Sequence, residues 1–221
     1  MFDDIVERYD LLNDLLSLGL DRWWRRFAAR TIARSLAPGA RVLDLGCGTG
    51  RLGLLVADRA RVVGLDLSHR MLLGAQRNVA RSRRHMVLAE GSVFRLPFPD
   101  GVFAALVSGF VLRNLDDLPA AFTELHRVVA PGGTVALIDI TEPPNRLVRS
   151  AFDAYFRRAA PALGSLVGKR DQYRYLVRSL GHLPERGAVC DALRRAGFAR
   201  CSARALTAGT ATLFTATKDA P

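Results

Sequence analysis

The sequence predicts a doubly wound, Rossmann-like α/β fold of seven strands, mostly parallel, with an antiparallel hairpin at the C-terminal edge. Three observations predict it. Residues 41–50 read RVLDLGCGTG, a short apolar strand emptying into a glycine-rich turn that opens a helix. A second strand over 61–65 ends in Asp66, about twenty residues on, where a doubly wound sheet brings a carboxylate to a ribose. Strand and helix patterns then alternate as far as Ile140, as right-handed βα units do.

The elements follow in order. Residues 1–37 read as an N-terminal helical lid, with Ile5, Tyr9, Leu12 and Leu16 at helical spacing and a break at 18–20. Asp21 is then placed to cap a second helix over 22–36, which carries Trp23 and Trp24. Pro38-Gly39 ends it. Strand one is 41–45, a helix covers 50–58, strand two is 61–65, and Ser68 caps the next helix. Strand three is 86–89, and strand four is 103–108. A helix over 118–129 leads through the tight turn Pro131-Gly132-Gly133 into strand five, 134–140.

Residues 145–184 form a helical insertion, with an amphipathic helix over 146–167 broken at Pro161. Loops past strand C-termini border the crevice of such a sheet, so the insertion is the natural place for substrate recognition. A helix over 187–196 and strands over 198–206 and 210–217 complete a single domain spanning residues 1–221.

Composition narrows the class. Of 221 residues, 49% are hydrophobic and 24% charged, ordinary for a globular protein. No apolar run is long enough to span a bilayer and the acidic N-terminus is unlike a signal peptide, so a cytoplasmic location is expected. Cys47, Cys190 and Cys201 lack metal-ligand spacing, as do the four histidines; neither disulfide nor metal is expected. The net charge is +11, and Lys169 and Lys218 are the only lysines. The arginines are spread over the whole chain without a recognition motif, so no nucleic-acid partner is expected. The charge suits peripheral contact with an anionic membrane.

The turn itself specifies the ligand further. A pyrophosphate fingerprint wants glycine at its first, third and sixth positions. Gly46 and Gly48 fit, but Arg51 holds the sixth, and Gly50 comes early. With Asp44 just before the turn, this suits a cationic ligand without pyrophosphate, namely S-adenosylmethionine. Asp44 then acts near the ammonium or as a structural carboxylate bonding turn amides. The backbone of Gly46, Cys47, Gly48, Thr49 and Gly50 faces the methionine part, with Cys47 a small space-filler. Asp66, followed by Leu67, takes the ribose. Ser92 and Val93, beyond strand three, lie where adenine rests; Ser108, Gly109 and Phe110, beyond strand four, floor the methyl group.

Several stretches together resemble a family. The segment 44–50, Asp66 and Pro131-Gly132-Gly133 are similar to class I S-adenosylmethionine-dependent methyltransferases. More narrowly, FDDIVERYDLLNDLLSLGLDRWW (2–24), LPFPD (96–100), GFVLRN (109–114), RVVAPGG (127–133) and YRYL (173–176) resemble the family that methylates the quinone ring in menaquinone and ubiquinone synthesis. The resemblance spans nearly the whole chain. It departs at Asp21, where histidine is usual, at Val111 and Ala208, where glycine is usual, and at Ser92, where an acid or amide is typical.

The resemblance implies C-methylation of a reduced demethylquinone (demethylmenaquinol), leaving S-adenosylhomocysteine. It places the acceptor against Tyr9, Asn13, Trp24, Phe110, Arg113 and Tyr173. Candidate groups for the proton chemistry are Arg113, Asn114, Asp139, Tyr9 and His182, with Arg113 foremost as partner of the developing phenolate and Asn114 ordering its loop. Two further readings stay open: methylation of another phenolic or polyketide-like acceptor, and cofactor binding without turnover. A homodimer is compatible with all three.

Overall fold

The computed structural model describes residues 9–156 and 183–220, leaving aside the side chains of Tyr9, Leu11 and Leu12. The expectations for Tyr173 and His182, for the break at Pro161 and for the side chain of Tyr9 lie outside the described residues. The elements are α1 (Tyr9–Leu16), α2 (Leu20–Ala33), β1 (Arg41–Leu45), α3 (Arg51–Val56), β2 (Arg61–Asp66), α4 (His69–Ser82), β3 (Met86–Glu90) and β4 (Phe103–Gly109). There follow α5 (Leu118–Val128), β5 (Val129–Ile140), α6 (Arg146–Ala154), α7 (Arg186–Arg195), β6 (Phe198–Leu206) and β7 (Ala211–Lys218).

The strands make one seven-stranded sheet in the order β3-β2-β1-β4-β5-β7-β6. β1 to β5 pair in parallel, and β7 runs antiparallel to both β5 and β6. Chain progression reverses between β1 and β4, where Leu45 and Ser108 are register partners. That reversal parts the following loops and opens a crevice at the strands' C-terminal ends. The inner strands are apolar on both faces because helices cover both. One face packs Leu43, Leu106, Leu137 and Phe214 with Phe122, Leu125 and Leu193 of α5 and α7. The other packs Val42, Val62, Val107 and Ile138 with Ile32, Leu52 and Leu72 of α2, α3 and α4.

Local chemistry sets the helix starts. Ser68 Oγ accepts from the Met71 amide at 3.3 Å, as the sequence predicts. Two expectations are corrected. Asp21 does not cap α2: Gly19, left-handed at φ 76°, is the cap residue, following Leu18 at φ 51°. The Asp21 carboxylate turns inward to Arg25 and Arg51 instead. β5 also starts earlier than Thr134. Val129 pairs with Phe103 and Thr134 with Ala105, so the Pro131-Gly132-Gly133 turn is an excursion within the strand. Between β6 and β7 a run of left-handed residues (Thr207, Ala208 and Gly209) shapes the turn. Ala208 there takes a backbone conformation that glycine adopts without steric cost, which explains the glycine usual at this place in the resembled family. Among the described residues, no helix is long and apolar enough to cross a membrane.

Candidate active site

The glycine-rich turn rises from β1 with Gly46, Gly48 and Gly50 at φ 59°, 54° and 80°, a sequence of left-handed residues that side chains disfavour. Their α-carbons see different surroundings. A Cβ on Gly48 would meet nothing within 4 Å, so that side of the turn is open to a ligand. A Cβ on Gly46 would fall inside the van der Waals envelope of Val111 Cγ2. Val111 therefore packs on the turn, and it is not among the residues lining the cavity described below.

Asp66 closes β2 and faces the turn. Its Oδ2 accepts from the Gly48 amide at 2.7 Å and its Oδ1 from the Ser68 amide at 2.9 Å. Those bonds orient a half-buried carboxylate beside the open face of Gly48. Leu67 next to it is 73% exposed, and Val93 is half-buried beyond β3, an apolar setting that suits a purine. Ser92 Oγ accepts from the Phe94 amide at 3.3 Å. Ser108 Oγ donates to the Leu45 carbonyl at 2.8 Å, which directs its proton to the neighbouring strand and away from the crevice. The site fits an adenosyl cofactor: an open glycine turn, an oriented acid for a diol, and an apolar platform for a base.

Asp44 lies underneath. It is fully buried, and Oδ2 accepts from the Gly53 amide at 2.8 Å, with the bare α-carbon of Gly53 leaving room for the approach. Burial pushes its carboxyl up to about 7, against the opposing pull of the Gly53 hydrogen bond and of Arg25. The folded chain thus holds this proton more tightly than the unfolded one, where a carboxyl titrates near 4. Below that value both states are protonated and the group is neutral to stability; between about 4 and 7 unfolding releases the proton, so stability falls as pH rises. In Asp44→Asn, which keeps an oxygen for Gly53, this component of the pH dependence should vanish. Chemical denaturation of both proteins from pH 4 to 7 checks it: the variant should gain on the parent as pH rises, and parallel curves would remove Asp44 as the cause. Cys47 is buried too, and its thiol is pushed far up by burial and by Asp44 and Asp66, which suits a space-filler and not a nucleophile.

The N-terminal helix α1 is tied to the turn by charge. Arg51, at the position where a pyrophosphate turn has glycine, bonds Asp14 at 2.8 Å and Asp21 at 3.2 Å. Thr49 Oγ1 donates to Asp10 Oδ1 at 2.7 Å, and Asn78 Nδ2 donates to the Thr49 carbonyl at 3.0 Å. Asp21, which replaces a usual histidine, serves this network and does not line the cavity. Burial raises its carboxyl's proton affinity in spite of Arg25 and Arg51.

Past β4 and β5 lies a cavity of about 260 Å³. Leu16, Leu18, Leu20 and Trp24 line it from the N-terminal helices, Phe152 and Phe156 from α6 and the residues just after it, and Phe110 and Arg113 from the β4 loop. Trp24 Nε1 donates to Thr207 Oγ1 at 2.8 Å, and the Tyr155 hydroxyl lies 3.3 Å from the Leu15 and Leu16 carbonyls. Phe110 is left-handed at φ 67°, which aims its ring between the guanidinium groups of Arg25 (4.8 Å) and Arg113 (5.7 Å). Asn114 Nδ2 donates to the Phe110 carbonyl at 3.2 Å and so orders this loop.

Two polar groups of the cavity matter most. Arg113, 6% exposed, forms a buried ion pair with Asp139, whose carboxylate also accepts the Arg113 amide at 3.1 Å and the Ile140 amide at 2.7 Å. Asn13 Nδ2 is buried with no hydrogen-bond partner among the described residues. A buried orphan donor on a cavity wall points to a ligand oxygen.

The structure brings Phe110, Arg113 and Asn114, past β4, and Asp139, at the end of β5, to one end of the sheet, where Asn13 of α1 and Trp24 of α2 meet them. Leu16, Phe152, Phe156, Thr207, Arg25 and Arg51 were not singled out from sequence. Arg51 left a signal, since a cation at the sixth position of a glycine turn needs acidic partners; the others show themselves only in three dimensions.

Known proteins resemble the chain along nearly its whole length. The model of the ubiE/COQ5 methyltransferase family matches residues 1–218. The chain is 38% identical over 221 residues to the ubiquinone/menaquinone biosynthesis C-methyltransferase UbiE of Coxiella burnetii, covering 95% of this chain and 86% of that protein. It is 41% identical over 202 residues to the demethylmenaquinone methyltransferase of Thermus thermophilus, covering 90% and 91%. Among solved structures, an S-adenosylmethionine-dependent methyltransferase of Aquifex aeolicus superposes with TM-score 0.60 at 18% identity over 86% of this chain and 88% of that one, a likeness of fold.

Proposed function

The chain belongs to the ubiE/COQ5 methyltransferase family, and from that premise we propose that it methylates a ring carbon of a demethylmenaquinol. The observation that carries the acceptor class is the apolar cavity that presents only a few polar groups, among them the orphaned Asn13 Nδ2 and the Arg113 guanidinium. A quinol is a flat apolar ring with two oxygens, and these two donors suit them.

S-adenosylmethionine, when bound, supplies an electrophilic methyl group on its sulfonium. The turn 46–50 and Asp66 hold and orient it. Phe110 and Trp24 confine the acceptor ring, so that placement accounts for much of the rate. Arg113 stabilises negative charge on a quinol oxygen as its proton leaves, which lets the ring push electrons to the attacking carbon. Asp139 serves Arg113 as a positioning residue, because two backbone amides and the guanidinium already engage its carboxylate. Water reaching the cavity takes that proton and, after transfer, the hydrogen that the methylated ring carbon sheds as the ring regains aromaticity and the oxygen is reprotonated.

Leu18, 70% exposed on the cavity wall, and Leu147, 82% exposed next to the wall residue Val148, support peripheral contact with a bilayer from which a prenylated acceptor is drawn. A panel of acceptors with methyl-labelled cofactor tests the assignment. Transfer to a short-chain demethylmenaquinol is expected, with little to the oxidised quinone. Transfer to a catechol or another phenol, with none to any quinol, would replace the quinone by that acceptor.

A further inference from the structure

Arg25 is unaccounted for by the acceptor cavity. Its residue is 7% exposed, on the inner face of α2, and it does not line the cavity. Among the described residues its guanidinium makes one hydrogen bond, from Nε to Asp21 Oδ2 at 3.4 Å, and Asp21 is shared with Arg51 at 3.2 Å. Nη1 lies 3.1 Å from where a Cβ on Gly109 would stand, and the guanidinium carbon sits 4.8 Å from the Phe110 ring centre. Gly109 follows Ser108, the register partner of Leu45, so this cation stands at the C-terminal end of β4, on one side of the switch point. A buried guanidinium with one long ion pair has donor capacity to spare, and a buried charge is costly without a partner.

We propose that Arg25 binds the α-carboxylate of the cofactor's methionine part through its terminal nitrogens. The proposal rests on the adenosyl-cofactor reading of the turn. Three features favour a carboxylate over an acceptor oxygen. The guanidinium is absent from the cavity wall, where Arg113 already serves that role. It stands against Gly109 at the end of β4, the strand next to β1 and its glycine turn, where the methionine part is expected. Its planar fork matches two carboxylate oxygens. Arg25 also screens that carboxylate from Asp44, buried beneath the turn, on which it exerts a favourable charge interaction.

The test removes the carboxylate from the ligand as well as the guanidinium from the protein. Calorimetry compares S-adenosylhomocysteine with its decarboxylated analogue, S-adenosyl-3-thiopropylamine, on the parent chain, Arg25→Met and Arg25→Lys. The parent should prefer the carboxylate ligand roughly 10- to 100-fold, the range for charge-assisted bonds. Arg25→Met should lose that preference by weakening only the carboxylate ligand, and Arg25→Lys should keep part of it. Equal weakening of both ligands in Arg25→Met, or an unchanged preference, would overturn the assignment and leave Arg25 a structural counter-ion of Asp21 and Asp44. Failure of the parent to bind S-adenosylhomocysteine would overturn the cofactor reading itself, together with the assignment.

Discussion

Asp66→Ala is expected to weaken S-adenosylhomocysteine binding by about 100-fold or more, since two ribose hydroxyls donating to a carboxylate contribute about 1.5–3 kcal/mol each. The fold should survive, because Asp66 is half-buried at the edge of the core, where its carboxylate accepts from the amides of Gly48 and Ser68. Those two bonds complicate the result: their loss relaxes the turn and weakens binding indirectly. A ligand-side deletion separates the effects. The 2′,3′-dideoxy analogue of S-adenosylhomocysteine should bind the parent poorly and should bind Asp66→Ala no worse than the intact ligand does. If the dideoxy deletion costs the variant as much as the parent, Asp66 organises the turn and does not touch the ribose.

Arg113→Met should cost more, and in two separable quantities. It strands the Asp139 carboxylate, which is wholly buried, and breaking such a pair typically costs about 3–5 kcal/mol of stability. Turnover should fall by about 100- to 1,000-fold, the scale for removing one preorganised donor from a developing anion. Arg113→Met combined with Asp139→Asn removes the orphan charge while leaving an oxygen for the backbone amides. The double variant should recover much of the stability and none of the turnover, with affinity for S-adenosylhomocysteine unchanged throughout. Urea denaturation and single-turnover methyl transfer read the two. Activity that returns with stability would reduce Arg113 to a packing residue.

Most of the frame was legible because it is written locally. The run RVLDL is buried on both faces, and it emerges as β1 with the bounds its pattern predicts. Ser68 caps α4 through a bond three residues long, and Asp66 ends a strand whose direction its own residues determine. Asp21 shows where such reading stops. As a sequence it stands one residue before a helical pattern, as a cap does. In the folded chain two cations from α2 and α3 outbid the backbone amides, and the left-handed Leu18 and Gly19 begin the helix earlier. The cavity lay further out of reach. Trp24 meets Thr207 and Tyr155 meets Leu16 across most of the chain's length, so its walls exist only once the sheet has gathered both ends. The pairing of Arg113 with Asp139 is intermediate. Each residue was marked by its place at the C-terminal end of the sheet, Arg113 past strand four and Asp139 ending strand five, but their union, and so the division between a stabilising cation and the acid that holds it, required the register of β4 against β5.

The contact between Gly46 and Val111 has a consequence for how such sequences diverge. A methyl on the turn and a side chain on the loop contend for one volume, so Val111 adds a packing barrier at position 46 to the backbone one that φ 59° already imposes. Where a relative carries glycine in place of Val111, the left-handed backbone alone keeps its turn residue small; this chain holds position 46 to glycine twice over, and its Val111 occupies volume beside the turn that a glycine there would leave empty.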